Sequence, residues 1–538
     1  MKLELVQAPI KNRIVADYWL SNTAIHEFFD YEYSDQAFEE RAHYLQQQAK
    51  NQTAVATVIR QFMEPLGISE KINEHIQQLE QGALAVVGGQ QAGVLTGPLY
   101  SVHKAISVIV LAKEQSAKLQ QPVVPLFWIA GEDHDLEEIN HTYTMHGGDV
   151  KKRTYSERSK RKLLASATAI NKEVMTEFIH SVVHDFGETA HTEALIKKLV
   201  TAANHSETLT EFFARLMNDL FKEEGLLLID AADFQFRQYE SDYFTRIIQK
   251  NEEIAQVVTA KEQALQEAGY GQPIMATEEA ANLFLVVDGE RHLLERKNGQ
   301  FINVAANIKL SQEELLTIAH QHPERLSNNV VTRPLMQEMM LPVLAFVGGP
   351  GELAYWATLK DAFAVLDLQM PIFAPRLHIT LVTRQVEQLL QEHQLTASDI
   401  WVGQAQQLQE QFIADIQDVE AKQQIQALQQ LLVEKYDVLQ TYLQTQALPL
   451  DKIIVKNKEN HLKQFAYLQQ KIEQITIQKH DATVQRFKTL QNELYPNDGF
   501  QERTYNPYQY LNEFGPTLIT DMLKQNYQMG NQHYLLYL

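Results

Sequence analysis

Two short stretches of the chain gather the residue types that bind phosphate and move protons. The first, Gly88-Gly89-Gln90-Gln91-Ala92-Gly93-Val94-Leu95-Thr96-Gly97-Pro98-Leu99-Tyr100-Ser101-Val102-His103-Lys104, ends on an imidazole and an ammonium. The second is Gly131-Glu132-Asp133-His134-Asp135. Glycines let a backbone approach a phosphate closely, and His103 suits stabilisation of charge on an α-phosphate, with Lys104 adding charge or facing solvent. Glu132, Asp133 and His134 offer carboxylates and an imidazole to bind a substrate ammonium, hold magnesium or supply a base. The catalytic candidates are His103, Asp133 and His134. The binding candidates are Gly88, Gly89, Gln90, Gln91, Thr96, Gly97, Tyr100, Lys104 and Glu132. Plainer readings stand beside these: glycines that make a tight turn, and Asp133 or Asp135 as the N-cap of a helix through Leu136-Glu137-Glu138.

The elements that would position these groups are legible from hydrophobic pattern. Ala83 to Val87 is a short apolar run of the kind that forms a parallel strand covered on both faces. Val102, Ile106, Ile109 and Val110 recur at helical spacing, so Gly88 to Pro98 is expected to be the loop between. Val123 to Ile129 runs as a second strand into Gly131. Leu226 to Ile229 forms a third, with Asp230, Asp233, Phe234 and Arg237 at or beyond its end. Val343 to Val347 leads into Gly348-Gly349-Pro350-Gly351-Glu352, and Ile372 to Ala374 into Pro375-Arg376. Ligands of open α/β sheets lie at the carboxyl ends of strands, so Gly348, Gly349, Gly351, Glu352 and Arg376 join the binding candidates. Tyr355 and Trp356 read as core. The glycine spacing matches neither the Walker pattern nor the dinucleotide fingerprint.

The expected organisation is α/β, a Rossmann-like parallel-sheet core with connecting insertions and a C-terminal α-helical coiled coil. The core takes residues 1–139, 223–250 and 331–385. Helices dominate the first eighty residues, with Phe28, Phe29 and Tyr31 in the core. A mainly helical insertion covers 140–222. A second insertion, 251–330, contains a small antiparallel meander, read from the Asp288-Gly289 and Asn298-Gly299 turns. Residues 386–500 form a helical hairpin broken at Ala447-Leu448-Pro449-Leu450-Asp451. Leu428, Leu432, Leu439 and Leu443 line one side, and Leu462, Phe465, Ile472 and Ile475 the other. The tail, 501–538, packs back on the body.

Composition narrows the function. Among 538 residues, 47 basic side chains face 68 acidic ones for a net charge of −21, which argues against a nucleic-acid-binding surface. The densest basic run, Lys151-Lys152-Arg153 with Arg158, Lys160, Arg161 and Lys162, reads as a solvated loop. The chain has no cysteine, so disulfides and cysteine-ligated zinc are excluded. No metal-ligand spacing stands out. The N-terminus lacks a secretory pattern and no apolar stretch could span a bilayer, so no membrane and a cytoplasmic location are expected.

Thr96-Gly97-Pro98-Leu99-Tyr100-Ser101-Val102-His103 resembles the class I aminoacyl-tRNA synthetase signature. His103 falls on its second histidine, while Tyr100 replaces the first and Val102 the glycine. Pro375-Arg376-Leu377-His378-Ile379-Thr380 stands where those enzymes carry a lysine-serine loop, and Arg376 is the cationic substitute. Taken together, Gly88 to Gly93, Trp128 to Asp135, Gly348 to Glu352 with Tyr355-Trp356, and Pro375-Arg376 closely resemble the bacillithiol biosynthesis cysteine-adding enzymes, the BshC family, over essentially the whole chain. The resemblance implies a synthetase-like core and a coiled coil. It also implies ligation of cysteine to the amine of glucosaminyl malate, the last step of bacillithiol biosynthesis. ATP would activate the cysteine carboxylate, with ADP or AMP as further ligands and magnesium as a companion, and the coiled coil would form a homodimer. Arg503, Tyr505, Asn506 and Tyr510 read either as tail docking or as a peripheral nucleotide pocket. The rival readings are a nucleotidyltransferase or tRNA-charging enzyme, and a nucleotide-binding coiled-coil scaffold.

Overall fold

The computed structural model describes residues 1–10, 12–20, 23–48, 50–156 and 163–538. The chain divides into two units, one of residues 1–383 with 499–538 and one of residues 384–498. At the centre of the first unit lies a five-stranded parallel sheet: β1 (Leu84–Gln90), β2 (Val123–Ile129), β3 (Leu227–Asp230), β4 (Val343–Gly348) and β5 (Ile372–Pro375). Their spatial order is β5-β4-β1-β2-β3, the doubly wound order of a Rossmann fold, whose direction of winding reverses between β1 and β4. Buried positions run continuously along β2, β3 and β4, as expected of strands covered on both faces. Helix α1 (Leu99–Leu119) packs on β1 and β2. A Cβ on Gly88 would lie 2.7 Å from Val108 Cγ2 of α1, so glycine here permits the close helix approach. β1 therefore continues as strand through Gln90, where the pattern had placed the start of a loop.

The insertions contain more strand than their sequences suggest. His141–His146 and Asp149–Thr154 pair as an antiparallel hairpin inside the region read as mainly helical. Gly147 and Gly148 turn it, both at positive φ. Lys151 to Arg153 lie on its second strand, and Arg153 pairs with Asp185. Arg158, Lys160, Arg161 and Lys162 lie outside the described residues. The meander comprises Ala280–Val287, Glu290–Lys297, Gln300–Asn303 and Ile308–Ser311, with Leu326–Asn328 added at its edge. Positive φ at Asp288, Gly289, Asn298 and Gly299 is the backbone of two-residue type I′ turns.

Both termini meet in a separate three-stranded sheet. Its middle strand, His533–Tyr537, pairs parallel with His378–Val382 and antiparallel with Lys2–Val6, so the first eighty residues open on a strand before their helices begin. The tail is thereby fixed beside the segment that follows Arg376.

In the second unit, Val419–Thr445 and Asp451–Lys479 form an antiparallel helical hairpin, tied by Lys458 to Asp437 at 2.8 Å and by Gln444 to Asp451 at 2.8 Å. Its seam is narrower than the leucine pattern suggests. Ile425 and Ile454 are buried and Leu432, Leu443, Phe465 and Ile472 half-buried, whereas Leu428, Leu439 and Ile475 are exposed. The seam steps from 425 to 432 to 443, and Leu428 and Leu439 fall outside it. No helix among the described residues is long and apolar enough to cross a membrane.

Candidate functional site

A cavity of about 410 Å³ opens at the carboxyl ends of β1, β2 and β4, where the winding reverses. Gly89, Gln90 and Gln91 border it from β1 and the turn after it, with Trp128, Ala130 and Asp133 from β2 and the loop beyond. Gly349, Gly351, Glu352 and Tyr355 come from β4 and the helix Pro350–Trp356. Tyr100 and Lys104, one helical turn apart on α1, face it together. Arg333, Arg376 and Arg503 complete the charged wall.

Three cations of that wall, Lys104, Arg333 and Arg376, are each held by a carboxylate. Lys104 Nζ donates to Glu352 Oε2 at 2.6 Å and to the Gly89 carbonyl at 2.7 Å. Burial pushes its ammonium down, and Glu352 opposes that only in part. Glu352 also accepts from the Gly349 amide at 2.8 Å, fixing the glycine turn. Arg333 Nε donates to Glu132 Oε1 at 3.2 Å. Glu132 is buried and also accepts from Arg237 and from Ser327 Oγ. Burial pushes Glu132 up, but Arg237, Arg333 and Arg291 hold it down at about 2. Arg376 makes a two-pronged pair with Glu502, at 2.7 and 2.8 Å. Arg503 is exposed and has no ion pair among the described residues.

Asp133 is a second carboxylate of this wall, beside Glu352. It accepts from Gln91 Nε2 at 2.7 Å and from the amides of His134 and Asp135. Burial raises its carboxyl, but those donors, with Arg291 and Arg333, bring it below the usual range. A carboxylate so held suits an ammonium ligand better than proton abstraction at neutral pH. Asp135 occupies the N-cap of Leu136–Ile139 without a side-chain cap bond.

Several sequence candidates sit elsewhere. His103 is in the second turn of α1, which begins at Leu99. Its ring is fully buried, Nδ1 lies 3.0 Å from Glu502 Oε2, and it does not border the cavity. It therefore backs the site without presenting a proton to a phosphate there. His134 also lies off the cavity wall, near Phe284. Glu132 acts behind Arg333. Gly88 and Gly348 are packed under α1 and against Phe373, and Thr96 is buried in the turn before α1. Gly97 borders a side pocket of about 50 Å³ shared with Gln90, Gln91, Tyr100 and Arg503.

The peripheral pocket does not form around its named residues: Tyr505, Asn506 and Tyr510 are buried, leaving Arg503 alone at a cavity. Asn506 Nδ2 donates to the carbonyls of Leu95 and Gly97, at 2.7 and 2.9 Å, and Tyr505 O accepts from the Leu99 amide at 2.8 Å. The tail staples the glycine turn, where Leu95 and Thr96 hold positive φ. Sequence reasoning missed Arg333, Glu502 and Tyr355. Arg333 was detectable as a charge inside the apolar run 330–347. Glu502 carried no signal, since only the fold brings it to Arg376.

The residues fit a phosphate-bearing ligand. Arg503 is exposed at the cavity and has no ion pair among the described residues, so its donors remain open for an oxyanion. No cluster of histidine, aspartate and glutamate among the described residues could hold a metal ion.

A parallel sheet wound in Rossmann order, with a charged cavity at its switch point and a helical hairpin, defines a Rossmann-like α/β protein with a coiled-coil domain. Residues 1–377 match the family described as "Bacillithiol biosynthesis BshC, N-terminal Rossmann-like domain", and residues 379–538 its C-terminal coiled-coil domain. The chain belongs to the BshC family. It is 72% identical over 538 residues to a protein of Lysinibacillus sphaericus, 34% over 537 to one of Bacillus cytotoxicus and 35% over 548 to one of Geobacillus kaustophilus. In all three pairs, 100% of each chain is covered, and each relative is named "Putative cysteine ligase BshC".

Proposed function

We propose that the protein is a carbon-nitrogen ligase that joins the carboxylate of cysteine to the glucosamine amine of glucosaminyl malate, completing bacillithiol synthesis in the cytoplasm. The observation that carries this reading is a single switch-point cavity combining an ionised carboxylate, Asp133, with Lys104, Arg333, Arg376 and Arg503. Asp133 holds the amino-acid ammonium. The cations bind the phosphates of ATP and the malyl carboxylates, and offset negative charge that grows during reaction. Magnesium would arrive on the phosphates.

Activation proceeds by transfer of the adenylyl group: a cysteine carboxylate oxygen attacks the α-phosphorus, and pyrophosphate leaves. The sugar amine then attacks the acyl carbon, loses a proton and displaces AMP. Cysteine labelled with ¹⁸O in its carboxylate tests this reading by mass spectrometry. One label should pass to AMP for each product formed; unlabelled AMP, or product without ATP, counts against it.

The exposed Leu428, Leu431, Val438 and Tyr442 recur on one helix at intervals of three, seven and four, a heptad-like stripe outside the hairpin seam. This supports homodimerisation through the coiled coil. Leu431→Asp with Val438→Asp should shift sedimentation from dimer to monomer. An unchanged dimer places the interface elsewhere.

A further inference from the structure

We infer that Glu502 is a positioning residue that aims the Arg376 guanidinium at an oxyanion of the bound substrate. The inference rests on the ligase reading for the identity of that substrate. Glu502 is buried, and its two carboxylate oxygens take both terminal nitrogens of Arg376, at 2.7 and 2.8 Å. A parallel two-bond fork fixes a guanidinium plane as a single contact cannot. The remaining lone pairs of Glu502 are taken by His103 Nδ1 at 3.0 Å and His378 Nδ1 at 2.8 Å, so the carboxylate itself has one orientation.

Its backbone is pinned as well. The neighbouring Gln501 side chain accepts from the Leu381 amide at 2.7 Å and donates to the Leu381 carbonyl at 2.9 Å. The tail is thus clamped to the strand that begins two residues after Arg376. Arg376 borders the cavity, whereas Glu502 and His103 do not. Glu502 therefore touches no substrate and acts through the arginine. The ion pair holds Arg376 beside Gly349 of the glycine turn: a Cβ built on Gly349 would lie 4.0 Å from Arg376 Nε.

The test is a double-mutant cycle on the full-length protein, using Glu502→Gln, Arg376→Gln and the neutral double variant carrying both. Calorimetric titration with Mg-ATP, L-malate and cysteine identifies which oxyanion Arg376 meets, and turnover with all substrates is measured in parallel. Glu502→Gln should weaken one of these ligands by about 10- to 100-fold, the cost of a misplaced contact, while leaving another unchanged. The doubly substituted protein should bind no worse than Arg376→Gln alone, because the residue being aimed is already gone.

Losses that multiply in the double variant would show Glu502 to be independent of Arg376 and overturn the inference. So would equal weakening of all three ligands, or failure of the wild type to bind any. Binding that follows the cycle without amide product in any sample would uphold the positioning role while removing the ligase reading. Should Glu502→Gln fold poorly, Glu502→Asp supplies the single-site arm: it keeps the charge but shortens the reach, and should show the same ligand-selective loss.

Discussion

Two buried glutamates hold two of the three arginines at the cavity wall, and they do so in different company. Glu132, in the loop after β2, faces Arg237, Arg333 and the nearby Arg291, guanidiniums that keep their charge at any ordinary pH. Glu502, from the tail, shares Arg376 with His103 and His378, and His533 lies close by. The first cluster is a brace of guanidiniums within the Rossmann core. The second joins core and tail through imidazoles. One site therefore has a side braced by guanidiniums and a side braced by imidazoles, of which burial pushes His103 and His533 down.

The largest expected difference is in stability. Removing a buried partner leaves uncompensated charge, at a cost of about 3–5 kcal/mol. Glu132→Ala takes a carboxylate from Arg333 and from Arg237, which keeps Glu240, with Arg291 nearby, and should fall at the upper end; Glu502→Ala takes it from Arg376 alone among the arginines and should fall at the lower. Urea unfolding of both variants measures this, and the reverse order would break the comparison.

Acid separates the two clusters next. Burial holds His533 down at about 3, below the usual histidine value near 6.5, so the unfolded chain binds the proton first as pH drops. Stability is intact above about 6.5 and declines toward 3, by about 2 kcal/mol between pH 6.5 and 5. Glu132, lowered to about 2, loses its contribution only as pH falls below about 4.5. Hydrogen exchange at pH 5 should therefore quicken in 501–510 and 533–537 before 226–237, and His533→Gln should remove most of the slope. Simultaneous quickening would contradict the distinction.

A smaller effect sharpens the role of the tail. Asn506→Ala removes two donors to the glycine turn and the cap on Pro507–Phe514, and should cost about 1–2 kcal/mol. Arg503 should keep its place, so ligand binding should change less than stability; calorimetry beside thermal unfolding checks both.

The same contrast explains what the sequence could reveal. Glu132 stands beside a strand end, and strands of the parallel sheet announce themselves by short apolar runs, so the core, the switch-point loops and Asp133 were legible. The long helices and the Asp288-Gly289 and Asn298-Gly299 turns were legible for similar local reasons. Glu502 meets Arg376 across 126 positions and His103 across 399, and no local pattern encodes such a meeting. The strand at Lys2–Val6 was hidden likewise, because its partner is the far end of the chain.

The central claim is that the switch-point cavity is where cysteine and the sugar amine are joined. It is tested most directly by mass spectrometry of product formed from cysteine, glucosaminyl malate, magnesium and ATP by wild type, Asp133→Asn and Lys104→Met. The account predicts amide product with equimolar AMP from the wild type and a loss of about 100-fold or more in both variants. Product at wild-type rates from folded Asp133→Asn and Lys104→Met proteins would place the chemistry elsewhere.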